Sequence, residues 1–237
     1  FISDLHLQES HPLMAQGFYR YLENLNDAKA LYILGDFFEV WIGDDYETPF
    51  INEVKAALKR LTERGVQVFF MHGNRDFALG DVFCQQTGVQ LLADPAVIEL
   101  GGEPILLMHG DSLCTMDAAY MKMRPMLRSP MMLKQLLSQS IEQRLAMANR
   151  LRGASKEGNA MKSEEIMDVT PEEVVKVMLE HGVTTMIHGH THRPFDHIFK
   201  HEETQLRRIV LGDWSDSSGW QVRFDDETGF VLSQFSF

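Results

Sequence analysis

The amino-acid sequence predicts an α/β fold, because apolar strands alternate with amphipathic helices along most of its 237 residues. Runs rich in Ile, Leu and Val each end in a short polar cluster, at 30–36, 66–74, 104–111 and 184–192. Segments with helical periodicity separate several of these runs, at 12–26, 47–64 and 171–181. This alternation is typical of βαβ units around a largely parallel sheet.

The pattern changes after His192, where short apolar segments are separated by turn residues. These segments lie near 195–200, 206–211, 219–225 and 229–235. Their length and spacing predict antiparallel strands, and we expect them to complete a second sheet.

Residues 115–168 interrupt this organisation, since they contain no strand pattern and hold nine of the 14 Met residues. Apolar residues from Leu133 to Ala148 recur at helical spacing, which predicts a helix there. Between 117 and 162 nine Lys and Arg stand against three Asp and Glu, so this stretch carries +6 and the rest of the chain −18. We therefore interpret 1–237 as one domain with a helical insertion, standing over the strand ends, at about 115–168.

The composition excludes several classes of protein. A content of 44% apolar and 24% charged residues is ordinary for a soluble globular chain, and no run approaches the roughly eighteen apolar residues of a membrane span. The start, FISDLHL, is typical of a strand rather than a signal peptide, and we expect residues to precede Phe1. A net charge of −12 argues against a nucleic-acid partner, and Cys84 and Cys114, which lack metal-binding spacing, are expected to be free thiols.

Clusters of Asp, His and Asn stand where the apolar strands end, which is the edge at which α/β sheets bind ligands. They are Asp4-Leu5-His6, Gly35-Asp36, Gly73-Asn74, His109-Gly110-Asp111 and Gly189-His190-Thr191-His192. Any one cluster alone is more typical of a turn. Imidazole, carboxylate and amide ligands without thiolate suit Mn²⁺, Fe²⁺ or Zn²⁺ in an open catalytic site rather than a structural zinc. Seven such ligands exceed the need of one metal, whereas two metals that share a carboxylate use them all.

The motifs DLH, GDFFE, GNRD, HGD and GHTH, in this order, resemble those of the calcineurin-like metallophosphoesterases. The resemblance covers the chain apart from the insertion, and it implies a four-layer α/β/β/α sandwich that hydrolyses a phosphate ester or anhydride. It also implies a first metal held by Asp4, His6, Asp36 and His192, and a second held by Asn74, His109 and His190, with Asp36 bridging. Asp76 and Asp111 are expected to orient ligand side chains. Glu39 departs from the family pattern, which has Asp there.

Arg75 stands where most of this family has a His that assists the leaving group. A guanidinium with a pKa above about 12 cannot donate that proton, but it can hold phosphate oxygens through two parallel hydrogen bonds. A phosphate leaving group is already a stable anion and needs no proton, whereas an alkoxide does. An arginine at this position therefore favours cleavage of a pyrophosphate over cleavage of an alkyl phosphomonoester. We predict Arg75, Asp36 and Asn74 as catalytic residues. The alternative for Arg75 is a structural ion pair with Asp76.

The insertion carries a second set of candidates on one helical face, because Arg152, Ser155, Asn159 and Lys162 are spaced by 3, 4 and 3 residues. The stretches LYILGDFFEVWIGDD, ASKEGNAMKSEEIMDV and HGHTHRP are similar to a family of Mn²⁺-dependent diphosphatases that act on lipid-linked nucleotide sugars. That resemblance implies two Mn²⁺ per chain, with Fe²⁺ and Zn²⁺ as alternatives, and peripheral attachment to the cytoplasmic face of the bacterial inner membrane. The predicted substrate contacts are Asn74, Arg75, Asp117, Arg152, Ser155, Asn159, Lys162 and His190.

Two other interpretations stay open at this point. One is a soluble pyrophosphatase that acts on dinucleotides or nucleoside diphosphate derivatives. The other is a non-catalytic scaffold with the same fold. For the oligomeric state we favour a monomer.

Overall fold

A computed structural model describes the backbone of residues 1–160 and 166–237, and the side chains of these residues except 154–160. The helices in these ranges are α1 (Pro12–Glu23), α2 (Pro49–Glu63), α3 (Asp81–Thr87), α4 (Ala118–Leu127), α5 (Pro130–Leu137), α6 (Ile141–Ala160) and α7 (Pro171–Glu180). The strands are β1 (Ala30–Leu34), β2 (Gln67–Met71), β3 (Gln90–Leu92), β4 (Ala96–Leu100), β5 (Glu103–Met108), β6 (Thr185–His188), β7 (Phe195–His201), β8 (Thr204–Val210), β9 (Ser218–Asp225) and β10 (Gly229–Ser236). The predicted α/β class is confirmed, and the four apolar runs contain β1, β2, β5 and β6.

The strands described form two main sheets and one hairpin. β1, β2 and β3 are parallel neighbours in the first sheet. The second sheet has the order β4-β5-β6-β8-β7, with β5, β6 and β8 parallel and the two edge strands antiparallel to their neighbours. The elements α3, β3 and β4 are not among those expected from the sequence. α3 and β3 are too short to show a clear periodicity, and β4 alternates partly buried and exposed residues instead of forming a continuous buried run.

The tail after His192 only partly follows the expectation. β7 and β8 join the second sheet, whereas β9 and β10 pair with each other instead. β9 bonds to the first residue of the chain, with Val222 N donating to Phe1 O at 3.0 Å and the amino group of Phe1 donating to Val222 O at 2.8 Å. The expectation that all four tail strands complete the second sheet is therefore wrong, because the N-terminal segment provides the hairpin with another partner.

Three apolar clusters separate four layers, in the order helices, sheet, sheet, helix. The first cluster packs side chains of α1, α2 and α3 against β1 and β2. The second lies between the two sheets, and the third lies between the second sheet and α7. Strand β5 shows the arrangement directly, since Ile105 and Leu107 face the other sheet while Leu106 and Met108 face α7.

The insertion contains α4, α5 and α6, and its two ends are joined at the main body. Thr115 and Thr170 share a hydrogen bond of 2.6 Å between their hydroxyls. The helix expected from Leu133 to Ala148 is broken between α5 and α6, because Ser140 and Gln143 form a capping box that starts α6: Gln143 N donates to Ser140 Oγ at 3.3 Å, and Ser140 N to Gln143 Oε1 at 3.1 Å. None of the helices in the described ranges has the length and hydropathy of a membrane span.

Candidate metal centre

The candidate ligands lie at one edge of the two sheets, where the parallel strands end. Asp36 follows β1, Asn74 follows β2 and His109 follows β5 directly. The segment with Asp4 and His6 runs parallel to β1, since Ile2 and Leu7 bridge to Ile33 and Phe38. His190 and His192 follow β6. Loops from both sheets therefore converge on one place.

Most of these loops have a strained backbone. The described non-glycine residues with positive φ are Asp4 (55°), His6 (49°), Asp36 (50°), His190 (69°), His192 (55°) and Glu202 (51°). All but Glu202, which lies in the turn between β7 and β8, are candidate ligands. Such a backbone persists only where the surrounding structure holds it, and it is frequent at functional sites.

The first group of ligand atoms belongs to Asp4, His6 and His192, whose atoms lie within 4.8 Å of one another. Asp4 is fully buried, and its Oδ2 accepts hydrogen bonds from the Ser3 hydroxyl at 2.5 Å and from His190 N at 2.9 Å. Its Oδ1 lies 3.4 Å from His192 Nε2 but accepts no hydrogen bond from the residues that the structure describes. Nε2 of His6 and Nε2 of His192 are also 3.4 Å apart. One carboxylate oxygen and two imidazole nitrogens are therefore close enough to bind the same metal ion.

The second group contains Asp36, His109 and His190, again with atoms within 4.8 Å. His109 Nδ1 donates to Leu34 O at 2.8 Å, so Nε2 is the ring nitrogen that becomes an acceptor when the ring is deprotonated. That Nε2 lies 3.6 Å from Asp36 Oδ1 and 3.1 Å from Asn74 Oδ1. Asn74 therefore stands at this group. The other oxygen of Asp36 lies 4.0 Å from His6 Nε2, so Asp36 stands between the groups.

The buried carboxylates and imidazoles of the site shift one another's pKa values. Burial lowers the pKa of His109, but the carboxylates of Asp36, Asp111 and Asp4 outweigh burial and raise it to about 9. Burial raises the pKa of Asp4, but His192 and the other imidazoles hold it well below its usual range. Burial and the neighbouring His109 lower the pKa of His190 to about 4. Buried carboxylates that stay ionised need a positive charge nearby.

The residues fit a pair of divalent cations. The donors are imidazole nitrogens, carboxylate oxygens and an amide oxygen, and the buried Asp4 Oδ1 has a free lone pair aimed at the first group. Glycines leave room for the ligands: a Cβ on Gly35 would stand 2.5 Å from His109 Nδ1, and one on Gly73 would stand 2.9 Å from Asp36 Cγ.

Asp76 and Asp111 hold loops and helices rather than ligand side chains, which differs from the expectation. The buried carboxylate of Asp76 accepts backbone hydrogen bonds from Gly73 at 2.8 Å, Phe37 at 2.7 Å and Phe38 at 3.3 Å. It thereby ties the loop after β1 to the loop after β2. Burial and the charge of Asp36 raise its pKa to about 6.

Asp111 anchors the insertion. Its fully buried carboxylate accepts hydrogen bonds from the Tyr120 hydroxyl, from Arg124 Nε at 2.8 Å and from Arg128 at 3.0 Å, all on or next to α4. Arg124 also binds Asp94 at 2.9 Å. Burial raises the pKa of Asp111, but His109 and the two arginines outweigh it and hold the pKa far below its usual range.

Arg75 faces the metal centre without a close carboxylate partner among the described residues. Its backbone N donates to Asp36 Oδ1 at 2.9 Å, and its guanidinium comes no closer to a carboxylate than 3.9 Å, at Glu39. Within the described part of the chain, the buried Arg75 Nε has no hydrogen-bond partner. The alternative of an ion pair with Asp76 finds no support, since Asp76 binds backbone amides instead.

The other predicted substrate contacts are only partly described. Asp117 caps α4 by accepting from Tyr120 N at 3.2 Å, and Arg152 pairs with Glu39 at 3.0 Å. Ser155 and Asn159 lie on α6, but their side chains are outside the described part, and Lys162 is outside the described residues.

Two residues beside the ligands are absent from the predicted site. Glu39 Oε2 lies 3.1 Å from His6 Nδ1, and Asp213 Oδ2 lies 3.6 Å from His192 Nδ1. Burial raises the pKa of Glu39, but His6, Arg75 and Arg152 outweigh burial and lower it. The sequence carries a signal for Asp213, because LGD at 211–213 repeats the LGD at 34–36 after another apolar strand.

Comparison with known proteins gives a consistent result. A family model described as calcineurin-like phosphoesterase matches residues 1–194. Proteins named UDP-2,3-diacylglucosamine hydrolase from Pseudomonas putida and Pseudomonas entomophila are each 53% identical over 237 residues, which are 100% of this chain and 98% of theirs. A relative of the same name from Ectopseudomonas mendocina is 51% identical over 235 residues, which are 99% of this chain and 96% of its own.

Proposed function

The chain belongs to the calcineurin-like phosphoesterase family, and we propose that it hydrolyses the diphosphate bond of UDP-2,3-diacylglucosamine. The observation that carries this proposal is 53% identity over 237 residues to relatives named UDP-2,3-diacylglucosamine hydrolase. The convergence of seven candidate ligands at one sheet edge supports it, because the reaction needs such a centre.

In the proposed reaction, water attacks the α-phosphorus of the UDP group. The bond from this phosphorus to the bridging oxygen breaks, and the bridging oxygen keeps the electron pair as part of the lipid-sugar phosphate. The products are UMP and 2,3-diacylglucosamine 1-phosphate (lipid X). The proposal thus assigns the enzyme to lipid A biosynthesis.

Two divalent cations are part of the proposal. Asp4, His6, Asp36 and His192 would hold one, and Asn74, His109 and His190 the other, with Asp36 shared. When bound, such a pair polarises phosphate oxygens and lowers the pKa of a water nucleophile. We propose Mn²⁺, with Fe²⁺ and Zn²⁺ as alternatives, since a donor set of nitrogen and oxygen without sulfur suits these ions.

Arg75 binds the substrate phosphate in this proposal. Its side chain is 25% exposed, and its buried Nε has no partner among the residues described, so its N–H groups can donate to phosphate oxygens. It supplies no proton, and the lipid-sugar phosphate needs none because it leaves as a stable anion. Asn74 and His190 stand at the same centre, and we propose them as further phosphate contacts.

The insertion is proposed to bind the acyl chains and to touch the membrane. The described side chains of the insertion include these exposed large apolar ones: Met116, Met123, Met126, Met131, Leu137, Ile141, Met147 and Leu151. Met adapts to irregular apolar ligands, and apolar side chains beside basic ones favour peripheral binding to an anionic lipid surface. We propose the cytoplasmic face of the inner membrane as this surface. Asp117, Arg152, Ser155, Asn159 and Lys162 are proposed to contact the sugar and phosphates of the substrate, and we favour a monomer.

The activity is tested with purified, Mn²⁺-loaded protein and UDP-2,3-diacylglucosamine in ¹⁸O-labelled water. We expect release of UMP that carries the label, and no release by an Asp36→Asn variant. Label in lipid X would instead place the attack on the other phosphorus. Cleavage of water-soluble dinucleotides without cleavage of the lipid substrate would contradict the proposed substrate. Absence of both metal and hydrolysis would favour the scaffold interpretation.

Membrane attachment is tested by flotation with vesicles of phosphatidylethanolamine and phosphatidylglycerol. Met131→Glu, at a side chain that is 76% exposed, should reduce the bound fraction. The control is Ile198→Glu on β7, which is 61% exposed but lies outside the insertion. Equal loss in both variants would argue against the insertion as the binding surface.

A further inference from the structure

Glu39 joins the candidate metal centre to the insertion. One carboxylate oxygen lies 3.1 Å from Nδ1 of the candidate ligand His6. The other lies 3.0 Å from Nε of Arg152 on α6 and 3.9 Å from the guanidinium of Arg75. The Glu39 side chain is 16% exposed, and its backbone N is fixed by a 3.1 Å hydrogen bond to Leu7 O. A single carboxylate therefore faces two arginines from different parts of the chain.

The two arginines have more donors than Glu39 can use. Each guanidinium carries five N–H donors. Among the residues that the structure describes, Arg75 approaches Glu39 only to 3.9 Å, and its Nε has no hydrogen-bond partner. Among the described residues, Glu39 is the carboxylate within 4 Å of both guanidinium groups, so one negative charge is shared by two positive ones. This arrangement leaves donors of Arg75 unused a few ångströms from the candidate metal ligands, which suits an anion that carries more charge than a carboxylate.

We propose that Glu39 is a placeholder for the substrate's phosphate. Without substrate, Glu39 holds the guanidinium groups of Arg75 and Arg152 beside the metal centre. The diphosphate of the bound nucleotide then replaces the carboxylate at both arginines, while Glu39 stays in place through its contact with His6. The inference rests on the proposed function in that it takes the ligand of the two arginines to be the substrate's diphosphate.

The length of the side chain is part of the reasoning. Glutamate has one methylene more than the aspartate typical of this position, so a carboxylate anchored near the metal ligands can also reach Arg152 on the insertion. Aspartate from the same backbone position would fall short of Arg152 by about the length of one C–C bond.

The test measures binding of methylphosphonate, a phosphate analogue that is not hydrolysed, to Mn²⁺-loaded protein by calorimetry. Glu39→Gln should tighten binding about two- to fivefold, because the competing charge is gone while an amide oxygen can remain near His6. The gain should vanish when Arg152→Gln is added to Glu39→Gln. Manganese content per chain should equal that of the wild type in both variants.

A matched control separates the placeholder from a general charge effect. Asp213→Asn also removes a carboxylate beside a candidate ligand, 3.6 Å from His192 Nδ1, and it should change the binding of methylphosphonate less than Glu39→Gln does. An equal gain in Asp213→Asn would overturn the proposal, as would weaker binding or loss of manganese in Glu39→Gln.

A second variant keeps the proposal testable if Glu39→Gln does not fold. Arg152 lies on the partly exposed face of α6, with 37% of its side chain accessible, so Arg152→Gln should fold and should weaken binding about two- to fivefold. Unchanged binding in that variant would refute the role of Arg152. Because the titration requires no turnover, failure to cleave UDP-2,3-diacylglucosamine would count against the proposed function alone.

Discussion

Replacement of Gly73 by Ala tests whether the loop after β2 is packed too closely against Asp36 to accept a side chain. A Cβ at this position would stand 2.9 Å from Cγ of Asp36, and closer still to its Oδ1 and backbone N. Ordinary carbon–carbon contacts begin at about 3.5–4.0 Å, so Asp36 would have to move by roughly 1 Å. Such overpacking costs about 1–3 kcal/mol of folding stability.

The functional loss should exceed the loss of stability, because Asp36 stands between both ligand groups. A 1 Å misplacement at a reacting centre can reduce turnover about 100-fold. We expect Gly73→Ala to lower the manganese content, measured by mass spectrometry, and to reduce kcat/KM by about that factor.

The control for this change is Gly80→Ala, because Gly80 also lies beside an aspartate. Its Cβ would lie 3.1 Å from Asp44 Oδ2, a side chain that binds backbone amides outside the ligand groups. Gly80→Ala should retain metal and activity. A Gly73→Ala protein with two metals per chain and normal turnover would refute the geometric reasoning.

Further predictions concern the arginine, the anchor of the insertion and the metals. Arg75→Ala should reduce turnover severely while metal content stays near two per chain, and intact turnover would make Arg75 structural. Asp111→Asn should destabilise the protein by about 3 kcal/mol, since it leaves two largely buried arginines short of a partner, or roughly 6–12 °C in Tm. This contribution is complete above the unfolded carboxyl pKa of about 3.9 and is lost as pH falls below it. The control Asp196→Asn, at a partly exposed pair with Arg207, should cost less than about 1 kcal/mol. Chelation should abolish turnover and lower Tm while the near-UV circular dichroism persists, and collapse of that signal would show that metal shapes the loops.

The sequence predicts the position of the candidate ligands well, for a physical reason. Parallel strands place their carboxyl ends at one edge, so a polar cluster after each apolar run has to meet the others there. Asp36, Asn74 and His109 follow this rule directly. The main strands are similarly predictable, because buried parallel strands read as continuous apolar runs.

The contacts made by the insertion are not predictable in the same way. Its basic residues suggest an anion-binding surface, yet Arg124 and Arg128 bind Asp111, Arg144 binds Asp45, and Arg152 binds Glu39. Which carboxylate faces which arginine depends on how the helices dock, and docking leaves no periodicity in the sequence. Part of the insertion's net positive charge is therefore used in ion pairs that attach the insertion to the acidic remainder of the chain.

The strained backbone of the ligand loops follows from the same tertiary constraints. Asp4, His6 and Asp36 adopt positive φ, which costs on the order of 1–3 kcal/mol at each residue. Hydrogen bonds from Asp4 N to Gly35 O and from His6 N to Asp36 O hold the N-terminal loop against the loop after β1. The strained backbone and these hydrogen bonds together place the side chains of Asp4, His6 and Asp36 beside one another, and neither the strain nor the hydrogen bonds can be inferred from the spacing of residues along the chain.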